Sequence, residues 1–176
     1  MDLGRLLWRY DALAAIDGFL RLGVPLALIS GELGRYRGYR GVRQLRALVP
    51  LGDARAESGP ESALRLHWIE ANLPPPVLQH WIYDDDGTPL YRLDIADPDA
   101  RYAAEYDGDE FHSDAVDMVH DDVRRTWLRE HRDWSVDPFR KNPVYTHPAR
   151  VGDLLAAGHA EALRKLSLWT PRRRVL

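Results

Sequence analysis

The chain has 176 residues, of which 24 are basic and 27 acidic, so its formal net charge is −3. That length suits one domain with its own core, and a hydrophobic fraction of 45% excludes a disordered chain. No apolar run approaches the roughly 20 residues that span a bilayer, so we expect no membrane partner and a cytoplasmic protein. The absence of cysteine excludes a disulfide scaffold, a thiolate zinc site and a cysteine nucleophile.

Charge is distributed unevenly along the chain. Residues 1–50 carry 8 basic and 4 acidic side chains, residues 51–133 carry 8 and 20, and residues 134–176 carry 8 and 3. Acidic clusters bind hard divalent cations, and basic surfaces bind phosphate backbones. The alternative is that most of these charges belong to solvated turns and helix faces.

The first part of the chain is predicted to be helical. Apolar residues at helical spacing predict a helix over 5–22 and short helices over 25–34 and 41–50. The loop 34–41, between the second and third of these helices, consists of glycine, arginine and tyrosine. The loop and the next helix carry four candidates for contacts with DNA phosphates, Arg35, Arg37, Arg40 and Arg43. The alternative is a solvated loop beside an arginine-rich helix.

A second unit is expected to begin at residue 54, which divides the chain into a helical segment, 1–53, and a larger domain, 54–176. Ser58-Gly-Pro-Glu61 resembles a capping box that begins a helix ending near residue 72. Strands are then predicted over 78–83, 91–96 and 101–107, a helix over 114–131, a strand over 134–139 and a helix over 148–168. This order predicts an α/β fold, in which a mixed sheet of about four strands is flanked by helices.

Three finer predictions concern these elements. Tyr91, Leu93 and Ile95 are expected to share one face of the second strand, because alternate residues of a strand do so. The closing helix is expected to break at Gly158. The long helix is expected to bury a stripe at helical spacing, formed by Val116, Val119, Val123 and Trp127.

Asp94 is unusual, because aspartate is disfavoured inside a strand. A turn at Pro98 and Asp99 predicts that Asp94 lies opposite Ala103, and therefore that Arg92 lies opposite Glu105. Asp94 and Glu105 are then diagonal neighbours on one face, about 7–8 Å apart.

Asp107 is expected on the same face, so three carboxylates, Asp94, Glu105 and Asp107, are candidate ligands for one Mg²⁺ or Mn²⁺ ion. Alternatives remain for each neighbour of Asp94. Glu61 either points toward this site or only closes the capping box. Glu105 can be neutralised by an arginine on the adjacent strand, and Asp107 with Gly108 can form an ordinary turn.

Several segments together resemble a restriction-endonuclease-like family of the PD-(D/E)xK superfamily, which is related to very-short-patch repair endonucleases and is found in many actinobacterial proteins. They are Glu61-Ser-Ala-Leu-Arg65, Arg92-Leu-Asp-Ile-Ala-Asp-Pro98, Ala104-Glu-Tyr-Asp-Gly108 with His112, Arg124-Arg-Thr-Trp-Leu128 and Trp134-Ser-Val-Asp-Pro-Phe139. The resemblance covers roughly residues 54–160. It implies a restriction-endonuclease-like core and hydrolysis of phosphodiester bonds in DNA with Mg²⁺ or Mn²⁺ as cofactor.

The resemblance also assigns roles to individual residues. Asp94 matches the strand aspartate of the superfamily, Glu105 the acid on the next strand and Glu61 the acid on the preceding helix. Asp107 stands where the superfamily has a lysine, and it is expected to serve as an additional metal ligand. His112 is the candidate general base.

Because Asp107 replaces the lysine, another residue must supply the positive charge or accept the proton. His112, Arg124 and Arg125 are the alternatives. Arg124 is also a candidate contact to DNA. The second hypothesis is a catalytically inactive DNA-binding or regulatory module that keeps the nuclease fold, and the third is a protein–protein scaffold. The family further implies that residues 1–53 are the end of a longer, antitoxin-like region, and a homodimer is compatible with all three hypotheses.

Overall fold

Residues 1–108, 115–140, 144–145 and 148–168 are described by the structure, a computed structural model. Four short helices come first: α1 (Asp2–Leu6), α2 (Arg9–Arg21), α3 (Leu26–Glu32) and α4 (Val42–Leu48), with 3-10 turns at Leu33–Tyr36 and Val49–Leu51. The elements that follow are α5 (Gly59–Glu70), β1 (Val77–Tyr83), β2 (Pro89–Asp97), β3 (Tyr102–Asp107), α6 (Ala115–Arg132), β4 (Ser135–Arg140) and α7 (Pro148–Leu168). No helix within the described ranges is long and apolar enough to cross a membrane.

The predicted order of helices and strands is confirmed, with one division. The helix expected over 5–22 is two helices, because the backbone is extended at Leu7 and Trp8, with ψ angles of 163° and 144°. The capping box is present: the Oγ atom of Ser58 accepts a hydrogen bond from the backbone N–H of Glu61 at 3.2 Å.

The four strands form one mixed sheet in the order β1-β2-β3-β4. The first two pairings are antiparallel, and β4 runs parallel to β3. A parallel neighbour requires a crossover connection, which α6 supplies between β3 and β4. The mixed four-stranded sheet flanked by helices is therefore confirmed.

Each face of the sheet contributes to its own apolar core. The larger core includes residues of the sheet, α5, α7 and the N-terminal helices, among them Leu13, Leu45, Trp68, Tyr102 and Leu155. The smaller core includes Leu93 and Ala103 of the sheet, Leu128 of α6, and Trp134, which lies between α6 and β4. The N-terminal helices thus share a core with the larger unit, and the boundary at residue 53 stays a prediction.

The register of the β2–β3 hairpin differs from the prediction by two residues. Ala103 pairs with Ala96, not with Asp94. The turn is longer than expected because the Asp97 carboxylate accepts hydrogen bonds from the backbone N–H groups of Asp99 and Ala100, at 3.0 and 3.4 Å, and Arg101 has a φ of 48°. A shift of two residues preserves the face on which each side chain lies.

The prediction for the face of β2 is wrong, and the prediction for the buried stripe of α6 is confirmed only in part. Leu93 packs in the smaller core and Ile95 in the larger one, although they are two residues apart on β2. Beside them, β1 is kinked at Gln79, whose φ is 53° and which lies between the paired residues Leu78 and His80. On α6, Val123 of the expected stripe is 61% exposed, whereas Trp127 is partly buried and packs against the smaller core. The side chains of Val116 and Val119 lie outside the described residues.

The predicted break at Gly158 is wrong, because α7 continues through this residue as one helix. At this position α7 packs closely against β3 and β4. A Cβ atom on Gly158 would overlap the Asp137 carboxylate and lie 2.7 Å from the hydroxyl oxygen of Tyr102, which donates to that carboxylate at 2.9 Å. The glycine is therefore required for close packing rather than for a bend.

We expect Gly158→Ala to destabilise the protein by about 1–3 kcal/mol, because the added methyl group must displace the partly buried hydrogen-bonded pair of Tyr102 and Asp137. Gly152→Ala on the same helix is the matched control, since its Cβ would meet only the methyl group of Ala71 at 3.9 Å. Urea denaturation of both variants measures the difference. Equal free energies of unfolding for the two variants would show that α7 is not tightly packed at Gly158.

Candidate functional site

Asp94 and Glu105 lie on neighbouring strands at one end of the β2–β3 ladder. The last pair of the ladder at this end is Ile95 with Ala104, so continuing the register places Asp94 opposite Glu105. The backbone N–H of Tyr106 donates to the Oδ2 atom of Asp94 at 3.0 Å. The corrected register thus brings the two acids closer than the predicted diagonal arrangement, and Arg92 is not opposite Glu105.

Glu61 closes the start of α5 and also contacts β1. Its Oε2 atom accepts a hydrogen bond from the backbone N–H of Glu57 at 3.0 Å, which closes the start of α5. The same atom accepts from the Nε2 atom of Gln79 on β1 at 2.9 Å. Glu61 is also close enough to Asp94 for its charge to affect the ionisation of that carboxyl group. The helix acid therefore connects α5 to the acidic end of the sheet.

Gln79 was not among the predicted site residues. Its Oε1 atom is buried and has no hydrogen-bond partner within the described part of the chain, while its Nε2 atom binds Glu61. A buried amide oxygen without a donor is unfavourable unless a ligand satisfies it. Gln79 lies in an ordinary strand segment of the sequence, so its unpartnered oxygen, its contact with Glu61 and its φ of 53° become visible only in the folded chain.

The environment of Asp94 raises its pKa from 3.8 to about 7. Burial is the main cause, and the negative charges of Glu61 and Glu105 add to it. The hydrogen bond from the Tyr106 N–H and the positive charge of Arg124 act in the opposite direction. Three carboxyl groups therefore interact electrostatically at this end of the sheet, which is characteristic of functional sites.

Arg124, on α6, binds Glu105 through both of its terminal nitrogens. Nη1 donates to Glu105 Oε2 at 3.1 Å, and Nη2 donates to Glu105 Oε1 and also to the backbone carbonyl of Arg92 at 3.1 Å. Glu105 itself is only 8% exposed. The residue expected to contact DNA is thus placed inside the acidic site, as a cation bound to one of its carboxylates.

These groups border a cavity of about 170 Å³, which is lined by Arg92, Asp94, Glu105, Tyr106, Asp107, Arg124, Arg125 and Pro138. Asp107 is partly buried on its wall. Its Oδ2 atom lies 3.7 Å from the Nε atom of Arg140 on β4. The cavity therefore combines acids with arginines and is not a purely acidic pocket.

Of the remaining candidates, His112 lies outside the described residues. The four N-terminal arginines are all exposed. Arg35 pairs with Glu32 at 2.8 Å, and the backbone carbonyl of Arg40 accepts a hydrogen bond from Arg5 at 3.0 Å. They belong to the helical segment and do not line the acidic cavity.

Comparison with known proteins gives relatives but no function. The chain is 36% identical over 157 residues to two proteins of Mycobacterium tuberculosis, one from each of two strains, and both are named as uncharacterized proteins. The match covers 89% of this chain and 57% of the relatives, so the chain spans little more than half of their length. No protein-family model matches the chain, and no solved structure does.

The donor chemistry of the site fits a hard divalent cation, but Arg124 holds one of the ligands. Carboxylate oxygens are the donors that Mg²⁺ and Mn²⁺ prefer, and Asp94, Glu105 and Asp107 line the cavity. No group of three histidine, aspartate or glutamate side chains among the described residues is arranged to hold a metal. The residues therefore fit a cation only when Arg124 has left Glu105.

We expect Asp94→Asn to stabilise the protein at pH 8 by about 1–3 kcal/mol, a range reduced for the partial exposure of Asp94. Because the folded-state pKa is about 7, the wild-type protein loses stability as the pH rises from 4 toward 7. Asparagine stays neutral, so its advantage should be greatest at pH 8 and should approach zero near pH 4.

Urea denaturation at pH 4 and pH 8 measures this difference. Asp99→Asn, which removes an exposed carboxylate from the adjoining turn, is the control and should change stability by less than about 0.5 kcal/mol. A gain for Asp94→Asn that is the same at both pH values would contradict the assigned electrostatics.

Proposed function

We propose that this protein is a restriction-endonuclease-like protein that binds DNA and hydrolyses phosphodiester bonds with Mg²⁺ or Mn²⁺. One observation carries the proposal: Asp94 and Glu105 face each other on adjacent strands, and Glu61 is close enough to help raise the pKa of Asp94 to about 7. Neighbouring carboxylates in a partly buried site repel one another and lose hydration. A bound cation would neutralise their charges, which accounts for their being placed together.

The chain's own residues have separate tasks in this proposal. Asp94 and Glu105 would hold the cation, with Asp107 as a further oxygen donor. The bound cation would lower the pKa of a water molecule and neutralise charge on the phosphate. Glu61 keeps Gln79 in place through the hydrogen bond of 2.9 Å and fixes the start of α5 beside the site.

DNA contacts are proposed for the N-terminal arginines. Arg35, Arg37, Arg40 and Arg43 are all exposed, as phosphate contacts must be. The central part of the chain is strongly acidic, so association with DNA requires a basic surface elsewhere on the molecule. Binding through these arginines is expected to weaken steeply as the salt concentration rises.

A second candidate function is a DNA-binding or regulatory module that does not cleave. The pairing of Arg124 with both oxygens of Glu105 favours it, because the guanidinium already neutralises this carboxylate without a metal. The aspartate at the position of the superfamily lysine, Asp107, favours it as well, since it supplies no positive charge.

One experiment separates the two candidates. The purified chain is incubated with supercoiled plasmid in Mg²⁺, in Mn²⁺ and in EDTA, and binding of the same DNA is measured by gel shift over a range of salt. Nicking that requires the divalent cation supports the endonuclease. Salt-dependent binding without nicking supports the module, and the absence of both would overturn the DNA proposal.

A further inference from the structure

Arg124 has more partners than a surface ion pair ordinarily has. Its guanidinium donates to both carboxylate oxygens of Glu105 and to the backbone carbonyl of Arg92. Its Cζ atom also lies 5.6 Å from the centre of the Tyr91 ring. The two charged side chains are 24% and 11% exposed, so the pair is partly shielded from water. Such a bidentate salt bridge is the strong form of an arginine–carboxylate interaction.

A divalent cation and this guanidinium are alternatives for Glu105. Mg²⁺ binds a carboxylate oxygen at about 2.1 Å, where it meets the oxygens that Arg124 now uses. If the cation and the Arg124 guanidinium both bound Glu105, the two positive groups would lie within about 4 Å of each other. Their repulsion is strong in a partly buried site.

We propose that Arg124 is a gate on the acidic site: it occupies Glu105 in the free protein and must leave before a divalent cation binds there. This inference rests on the proposed function for the identity of the site, and it adds how the site is regulated. The Arg124-bound state reduces the apparent affinity for the cation in proportion to its population. If that state holds nine-tenths of the molecules, the reduction is about tenfold.

The test uses Mn²⁺ alone, followed by isothermal titration calorimetry and by electron paramagnetic resonance of the free ion. Arg124→Gln removes the positive charge and is expected to bind Mn²⁺ about tenfold more tightly than the wild type. Arg129→Gln is the matched control, because it removes an exposed arginine of the same helix whose partner is Glu130. Its Mn²⁺ affinity should equal that of the wild type.

A second variant protects the test against misfolding. Arg124→Lys keeps the charge but replaces the planar fork by a single ammonium group, so its affinity should fall between those of the wild type and Arg124→Gln. Circular dichroism establishes that each variant is folded. Equal affinities for wild type and Arg124→Gln, or an equal gain in Arg129→Gln, would overturn the gate.

The failure of this proposal can be distinguished from failure of the proposed function. Tighter Mn²⁺ binding by Arg124→Gln in a protein that never nicks DNA supports the gate and contradicts the endonuclease. Mn²⁺-dependent nicking by the wild type, with unchanged Mn²⁺ affinity in Arg124→Gln, supports the endonuclease and contradicts the gate.

Discussion

Asp94→Asn is expected to reduce Mg²⁺-dependent nicking of plasmid DNA by on the order of 100-fold or more, since the cation's contribution amounts to several kcal/mol. Asparagine has the shape of aspartate and keeps an oxygen that can accept the hydrogen bond from the Tyr106 N–H, now 3.0 Å long. The loss therefore comes from the missing charge on the cation ligand. Glu105→Gln is expected to have the same effect for the same reason.

The stability of Asp94→Asn at pH 8 is the control for this prediction. Because burial and neighbouring charges raise the pKa of Asp94 to about 7, the neutral asparagine should leave the protein more stable at pH 8, not less. Lost activity in a more stable protein identifies a functional residue rather than a structural one. Asp99→Asn should nick like the wild type, and full activity in Asp94→Asn would refute the site.

Asp17→Ala is expected to destabilise the protein by about 3–5 kcal/mol, because it leaves Arg65 buried without its counter-charge. Asp17 on α2 is fully buried, and its Oδ2 atom accepts from Arg65 Nη2 on α5 at 2.6 Å. Its Oδ1 atom accepts from the backbone N–H of Asp53 at 2.8 Å. Arg65 also donates to the carbonyl of Leu51 at 2.6 Å, so the pair links the N-terminal helices to α5.

The double variant Asp17→Leu with Arg65→Met tests whether the charge or the packing matters. Removal of both charges should recover most of the lost stability, because a buried pair is often replaceable by apolar side chains. Arg55→Gln, at an exposed ion pair with Asp53, should lower the free energy of unfolding by less than about 1 kcal/mol. Urea denaturation measures all three, and a loss below about 1 kcal/mol for Asp17→Ala would contradict the pair's role.

The elements of the fold could be predicted because they depend on local patterns. The capping box at Ser58 and the alternating sequence of β2 are both local, and they predicted where α5 and β2 lie. The alternation did not predict the core in which each β2 residue packs. The break between α1 and α2 was not predicted, because an extended backbone at Leu7 and Trp8 leaves the apolar pattern of the sequence unchanged.

The site could be predicted only in part. Asp94 was recognisable because an acid within a strand is unfavourable without a function. Its register with Glu105 was wrong by two residues, because the length of the turn depends on the hydrogen bonds of the Asp97 side chain. Gln79 gave no sequence signal, since its unpartnered oxygen is created by burial in the folded chain.

The sequence by itself determined the order of helices and strands, the crossover through α6 and the candidate acids Asp94, Glu105 and Glu61. Hydrophobic periodicity and local capping are sufficient for these features. Only the tertiary structure decided that Asp94 lies opposite Glu105 and that Arg124 occupies Glu105. Arg124 and Glu105 are 19 residues apart in sequence, and their contact depends on how α6 packs across the sheet. The net charge of −3 does not reveal that pairing, because opposite charges cancel in the sum whether or not they form an ion pair.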